Sequence, residues 1–259
     1  LPERPFLPAR AWWWLRLATA ALLLGRAWQH FRHVTPWEFT WGGSALALFL
    51  GGLFVLGAAV CWGKWPQQLQ QGILVSCGLA LGGYFLLDWG QKAWVPEQLI
   101  EHATQALLPW LVVSAQWPRT DPRRWRRWAL AAVSLTFLGH GLFALGAFHP
   151  VPGHFLGMTK LILGIDTEGA RRFLLVAGAL DLLVVGGLWW RPTQRPALAY
   201  AVFWGLATAL ARIWAHLDVD LLFPSLDRWV YETVLRLGHG LLPLVLLLDL
   251  KGSSQHTKE

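Results

Sequence analysis

Charged side chains are scarce in this chain, and sulfur is scarcer still. Asp, Glu, Lys and Arg make up 14% of the residues, whereas hydrophobic residues make up 55% and the mean hydropathy is +0.40. This balance excludes an ordinary soluble domain, in which about 25% of residues are charged. The two cysteines, Cys61 and Cys77, form neither a CxxC pair nor a metal-ligand spacing, and we interpret them as free thiols in helices. No HxxxH or ExxH pair recurs, so no zinc or copper site is predicted.

Long apolar segments dominate the sequence instead. Eight of them are long enough to cross a bilayer, and they lie at about 11–29, 44–62, 69–89, 98–115, 128–148, 171–190, 197–217 and 230–250. Glu101 and His102 interrupt the start of the fourth segment. The sequence therefore predicts an all-α, polytopic membrane protein built as a bundle of about eight transmembrane helices.

The basic residues are confined to alternate connections between these segments. The basic set comprises Arg4, Arg10, Lys64, Arg119, Arg123, Arg124, Arg126, Arg127, Arg191, Arg195 and Lys251. The other connections carry the acids Glu38, Asp88, Glu97, Asp166, Glu168, Asp218, Asp220 and Asp227, with fewer bases. Because short basic loops remain in the cytoplasm, we expect both termini to be cytoplasmic.

The same distribution explains the net charge of +7. Basic loops beside apolar segments indicate membrane orientation, so we expect the lipid bilayer, and no nucleic acid, as a partner. No small-residue cleavage site follows the first apolar segment, and we interpret residues 1–10 as a cytoplasmic tail rather than a signal peptide. Since eukaryotic targeting features are lacking, we expect a multi-pass protein of the bacterial inner membrane.

The two halves, 1–118 and 119–259, resemble two copies of one four-helix unit. Leu24-Gly25-Arg26-Ala27 matches Leu138-Gly139-His140-Gly141, Gly78-Leu79-Ala80-Leu81 matches Gly205-Leu206-Ala207-Thr208, and Gln105-Ala106-Leu107-Leu108-Pro109 matches His239-Gly240-Leu241-Leu242-Pro243. An even number of spans per unit predicts parallel repeats related by an axis along the membrane normal. Alignment by shared Leu, Gly and Trp composition is the simpler alternative.

The halves differ in their polar residues. The second has His140, Asp181, Arg212 and His239 where the first has Arg26, Val55, Phe85 and Gln105. A site confined to one unit is therefore expected in the second half.

Polar residues of the second half are predicted to form a shaft from the outer surface to the midplane. Counting along the helices places His140, Asp181 and His239 near the midplane. The shallower members are Arg212, His216, Glu232 and Arg236. Intramembrane ionisable groups are costly and commonly functional, so we take the deep residues as candidate catalytic groups and the shallow ones as candidate ligand-binding groups.

Each of these groups also has a structural interpretation. Glu232 and Arg236 are spaced i, i+4, and their ion pair would fix helix packing. His140 and His239 would hydrogen-bond each other or Asp181, either to join helices or to transfer protons. A haem between the two histidines is a further interpretation, which is weakened by the absence of a second matched pair.

The connection His149–Asp166 is the other candidate region, and it includes His154 as a candidate ligand-binding residue. Its prolines and glycines break the helix, and Phe155–Ile165 is predicted to be a short amphipathic helix. This helix would be either a lid over the shaft or an ordinary interfacial connector. The first half has a shorter analogue at Val34–Phe39.

The second half resembles the DoxX-like family of four-helix membrane proteins. The resemblance covers roughly 128–217 and rests on Phe137-Leu138-Gly139-His140-Gly141-Leu142, and on the glycine-rich stretch Ala177–Trp190 that contains Asp181 and precedes Arg191 and Pro192. The acid is Asp181 where the family usually has Glu. The resemblance implies the fold and points to membrane redox work, including quinone-coupled sulfur oxidation.

Three functions follow as hypotheses. The first is a membrane redox component that binds a quinone or similar apolar ligand in the second repeat and takes electrons from a membrane or periplasmic partner, because the sequence has no NAD, flavin or thiol motif. The second is a transporter or lipid-handling protein, in which Arg212 and Arg236 recognise a small anion or a lipid headgroup. The third is a non-catalytic scaffold subunit of a membrane complex.

Overall fold

The computed structural model describes residues 6–39 and 42–255, and this part of the chain is helical with no β-strand. The predicted all-α class is therefore confirmed. The helices are α1 Ala9–Arg32, α2 Gly43–Val60, α3 Gln67–Gln91, α4 Pro96–Ile100, α5 Ala103–Ala115, α6 Pro122–Leu145, α7 Gly153–Leu163, α8 Thr167–Trp189, α9 Arg191–His216, α10 Leu222–Arg236 and α11 Gly238–Gln255. A 3₁₀ helix, Pro36–Phe39, lies between α1 and α2.

Six helical segments are long and apolar enough to cross a membrane. They are Gly43–Val60, Gln67–Gln91, Pro122–Leu145, Thr167–Trp189, Arg191–His216 and Leu222–Leu250. The chain thus has the helices of a multi-pass membrane protein. The remaining two predicted spans also overlap helices, but α1 carries several arginines, and the fourth span is divided into the short helices α4 and α5.

The fourth helix of each half is broken at nearly equivalent positions. In the first half, Glu101 and His102 separate α4 from α5. In the second half, Leu237 separates α10 from α11, although the sequence predicted one continuous helix over 230–250. The break places Glu232 and Arg236 on α10 and His239 on α11. Irregular backbone at membrane depth is stable only where it lies inside the protein or lines a cavity, and both breaks lie beside cavities.

The first helix of each half packs against the fourth helix of the other half. Gly25 on α1 lies against Leu235 on α10, and Gly139 on α6 lies against the backbone of Glu101 beside α4. Gly25 matches Gly139 in the predicted repeat, and Glu101 falls opposite Leu235 in the same alignment. This exchange of helices is the arrangement expected of two units related by an axis along the membrane normal, and it supports the proposal of a duplication.

The bundle separates the two sets of connections. At the end that begins α1, Phe6 packs on Trp125, and Trp13 packs on Trp62 in the α2–α3 connection. At the opposite end, His149 contacts Glu97, and Arg32 pairs with Asp227. The predominantly basic connections thus share one end and the predominantly acidic connections share the other. Residues 1–5, with Arg4, and the side chain of Lys251 lie outside the described residues.

Helices α9 and α11 approach each other at a glycine. A Cβ on Gly205 would lie 2.5 Å from the carbonyl oxygen of His239, so only glycine permits this backbone distance. The close contact fixes His239 relative to the cavity lined by α9. Gly82 on α3, by contrast, has nothing within 4 Å of the position that a Cβ would occupy.

We expect Gly205→Ala to destabilise the protein by about 1–3 kcal/mol, because the two backbones must separate. Gly82→Ala is the matched control, and it should be neutral or stabilising by up to about 1 kcal/mol through helix propensity. Thermal unfolding of both variants in the same detergent measures the difference. Equal melting temperatures would show that the α9–α11 contact is not tightly constrained.

Candidate functional site

Two adjoining cavities contain most of the polar groups that the sequence singled out. The apolar cavity has a volume of about 270 Å³, and the residues that line it all belong to the second half, among them Phe155, Met158, Phe173, Leu174 and Trp204. The polar chamber has a volume of about 420 Å³ and is lined by residues of both halves. Arg212 and Arg236 line both cavities and form their common boundary.

His140 and His239 meet at one end of the apolar cavity. Their ring centroids are 5.2 Å apart, with the rings at 60° to each other. His239 is 3% exposed, and Nε2 of His140 is buried without a hydrogen-bond partner among the described residues. The structure thus brings together the two histidines that the sequence predicted to share a layer.

Asp181 lies in the same cavity but does not pair with either histidine. It is 3% exposed, it accepts a hydrogen bond from the Trp204 side chain, and its Oδ1 has no hydrogen-bond partner in the described part of the chain. Its Cβ lies 3.2 Å from the position of a Cβ on Gly141, which places Asp181 near the level of His140. The His–Asp pair considered from the sequence is therefore replaced by a different pair.

The carboxylate beside His140 is Glu101, at the break between α4 and α5. Its Oε2 lies 3.6 Å from Nδ1 of His140, and its Oε1 lies 3.5 Å from Nε2 of His102. In the sequence, Glu101 stands out only as an interruption of the fourth apolar segment. That interruption is the signal that could have drawn attention to Glu101. The sequence could not identify His140 on α6 as the partner of Glu101, because that contact depends on which helices are neighbours.

A second polar contact joins the halves through Gln105. Its amide Nε2 lies 3.4 Å from Nε2 of His239, and its Oε1 accepts a hydrogen bond of 2.8 Å from Arg26. Gln105 and Arg26 are the residues that match His239 and His140 in the predicted repeat. The matched pairs of the two halves thus meet at the centre of the bundle.

Glu232 pairs with two arginines at the boundary between the cavities. It contacts Arg236 on the next turn of α10, as the i, i+4 spacing predicted, and it lies 3.6 Å from Arg212 on α9. His216 was predicted to join this group, but its ring stacks on Trp229 at 3.9 Å, and it lines neither cavity.

The predicted amphipathic segment forms α7, which covers the apolar cavity. Phe155 contacts the rings of His140 and Phe143, and Met158 and Ile162 also line the cavity. Gly164 ends the helix with φ 63°, a left-handed conformation that favours glycine. The placement agrees with the lid interpretation, because α7 lies over the cavity.

His154, at the start of α7, lines the polar chamber. Partial burial lowers the pKa of His154 to about 4, and the charges of Arg212 and Arg236 act in the same direction. The ring is therefore neutral at pH 7, so its nitrogens provide both a donor and an acceptor.

The polar chamber extends the candidate site beyond the second half. Arg26, Gln105 and Glu101 line it from the first half, facing Glu232 and Arg236 from the second. A site within the second half was expected from the sequence. The apolar cavity lies within that half, whereas the polar chamber is lined by both halves. Among the described residues, no three His, Cys, Asp or Glu side chains are grouped so as to hold a metal ion.

Comparisons with protein-family models, curated proteins and solved structures found no match to this chain. The resemblance to the DoxX-like family therefore remains a hypothesis from the sequence.

We expect Glu232→Gln to cost about 3–5 kcal/mol, because it leaves two largely buried guanidinium groups without their carboxylate. Arg236→Gln should cost less, since Glu232 would still face Arg212. The matched control is Glu168→Gln, which removes an exposed i, i+4 pair with Arg172 and should cost about 0.5 kcal/mol or less. Unfolding in detergent ranks the three variants. A ranking with Glu168→Gln equal to Glu232→Gln would contradict a structural role for the buried pairs.

Proposed function

We propose that the protein is an integral membrane redox-associated protein that binds a quinone or similar apolar ligand in the apolar cavity. The observation that carries the proposal is the His140–His239 pair at the end of a cavity with aromatic and aliphatic walls. Ligand sites are commonly apolar clefts with a few convergent polar groups, and this cavity has that composition.

His140 is oriented for hydrogen bonding to a ligand carbonyl. Its Nδ1 faces Glu101, and its Nε2 has no partner in the described structure. When Glu101 is protonated, Nδ1 accepts from its carboxyl group, and Nε2 carries the ring proton and donates to a carbonyl oxygen. His239 is held by Gln105 and by the α9–α11 backbone contact. Phe155, on α7, would cover the ligand.

Two acidic groups, one in each cavity, support proton transfer. Reduction of a quinone to a quinol takes up two protons and two electrons. Glu101 lines the polar chamber and contacts His140, so it is placed to pass a proton between the chamber and the histidine. Asp181 is a second acid inside the cavity. In this proposal, a membrane or periplasmic protein partner supplies the electrons.

The spacing of the two histidines does not fit a haem held between them. The two rings contact each other, and a macrocycle coordinated by both would have to lie between them. Binding by either histidine alone would require space for the whole macrocycle within a cavity of about 270 Å³.

The finer topology is part of the same proposal. We infer eight spans arranged as two DoxX-like units in the bacterial inner membrane, with both termini in the cytoplasm. This orientation is supported by the basic connections at the end of the bundle where α1 begins and by the acidic connections at the other end. The polar chamber then lies toward the periplasmic side, because residues of the α1–α2 and α3–α4 connections line it.

Detergent-purified protein should contain quinone in its solvent extract and should bind a short-tailed ubiquinone analogue saturably. Loss of a buried hydrogen bond costs about 1–2 kcal/mol, so His140→Ala and His239→Ala should each weaken binding roughly tenfold. Isothermal titration calorimetry measures the affinity, and mass spectrometry identifies the extracted lipids.

His33→Ala is the matched control, because His33 stacks on Tyr231 and lines neither cavity. It should bind the analogue as tightly as the unmodified protein does. A protein with no quinone and no saturable binding, or with equal affinities in all four forms, would reject the proposal.

A further inference from the structure

Arg26, in the wall of the polar chamber, is a buried cation without a carboxylate partner. It is 3% exposed, and no Asp or Glu among the described residues forms an ion pair with it. Its Nη atoms donate to the side-chain oxygens of Gln29 and Gln105, at 2.7 and 2.8 Å. Its Nε is buried with no hydrogen-bond partner in the described structure.

The side chains that contact the Arg26 guanidinium are neutral, and the Glu232 carboxylate interacts with it only at longer range, without forming an ion pair. The guanidinium lies 4.1 Å from the centre of the Tyr84 ring and 4.9 Å from that of Phe85. Cation–π contacts of this kind offset part of the cost of burying the charge, but they do not neutralise it. Because arginine stays protonated in proteins, the site retains a full positive charge.

The other charges of the chamber do not compensate for Arg26. The described residues that line it include four arginine or lysine side chains, Arg26, Lys92, Arg212 and Arg236, and three carboxylates, Asp88, Glu101 and Glu232. Lys92 pairs with Asp88, both Arg212 and Arg236 contact Glu232, and Glu101 contacts histidines. The chamber therefore has an excess of positive charge at the position where Arg26 lacks an ion pair.

We propose that the polar chamber binds an oxyanion of the phosphate type, with Arg26 as its main cationic contact. A guanidinium fork matches phosphate oxygens, and a buried uncompensated charge is costly enough to favour the entry of an anion. Gln29 and the Tyr84 hydroxyl, which are hydrogen-bonded to each other, provide neutral polar groups beside it. The phosphate is either an anionic lipid headgroup or free phosphate.

The proposed oxyanion site is separate from the proposed quinone site. Arg26 does not line the apolar cavity, and none of its hydrogen-bond partners does. Arg212 and Arg236 face both cavities, so an amphipathic molecule with an anionic head could extend from one into the other. A protein that binds no quinone would still be expected to bind the oxyanion. A protein that binds no oxyanion would still be expected to bind quinone.

The test compares two phosphate sources and three variants by thermal unfolding. Detergent-purified protein is titrated with inorganic phosphate against chloride at equal ionic strength. Protein in phosphatidylcholine nanodiscs is compared with protein in nanodiscs that also contain phosphatidylglycerol. The variants are Arg26→Gln, Arg26→Lys and the control Arg32→Gln, which changes an exposed arginine on the same helix.

At least one phosphate source should raise the melting temperature, because a ligand that binds the folded state stabilises it. Stabilisation by inorganic phosphate would identify free phosphate, and stabilisation only by phosphatidylglycerol would identify a lipid headgroup. Arg26→Gln should weaken the apparent affinity for the stabilising phosphate source, taken from the rise in melting temperature, at least about tenfold. This is the loss expected for a charge-assisted contact. Arg32→Gln should leave it unchanged.

Arg26→Lys keeps the charge but loses the fork, and it should weaken the response several-fold. If Arg26→Gln does not fold, the stabilisation of Arg26→Lys by the phosphate sources tests the proposal. The proposal is overturned if neither phosphate source stabilises the protein, or if the folded Arg26 variants respond as strongly as the unmodified protein.

Discussion

The bundle depends on one constraint: ionisable groups inside a membrane protein must find partners within the protein. The break between α4 and α5 meets this constraint for Glu101, which contacts His140 across the boundary between the halves. Glu232 is the carboxylate partner of Arg212 and Arg236. Both acids lie on or beside the fourth helix of their half. The broken fourth helices therefore hold the carboxylates that allow arginines and histidines to be buried.

The exchange of first and fourth helices makes the two halves interdependent. Arg26, Gln105 and His239 form a continuous line of contacts from α1 through α5 to α11. A change in the position of α11 relative to α5 would therefore alter the surroundings of Arg26 and of the histidine pair together. Through Arg212 and Arg236, the same displacement would reach both cavities. The structure thus provides a physical route by which occupancy of the chamber could affect the apolar cavity.

Sequence periodicity predicted the features that depend on a single helix. The apolar segments all overlap helices, and the i, i+4 spacing of Glu232 and Arg236 gave their ion pair directly. Features that depend on the identity of neighbouring helices were not predictable in this way. Glu101 is 39 positions from His140, and no periodic pattern connects them. The depths of His140 and His239 were nevertheless predictable from the sequence, because the two residues lie in apolar segments that run in opposite directions and the break at Leu237 shifts the depth little.

Two of the unpaired polar atoms on residues that line the apolar cavity, one on Asp181 and one on His140, differ in their hydrogen-bonding capacity. Oδ1 of Asp181 accepts when the carboxylate is ionised, whereas Nε2 of His140 donates when its Nδ1 accepts or is also protonated. A quinone presents only acceptors, and a quinol presents hydroxyl donors. His140 with its proton on Nε2 would therefore favour the oxidised ligand, and an ionised Asp181 would favour the reduced one. Since buried polar atoms are costly when unpaired, a ligand that exchanges these two states would satisfy one group and then the other.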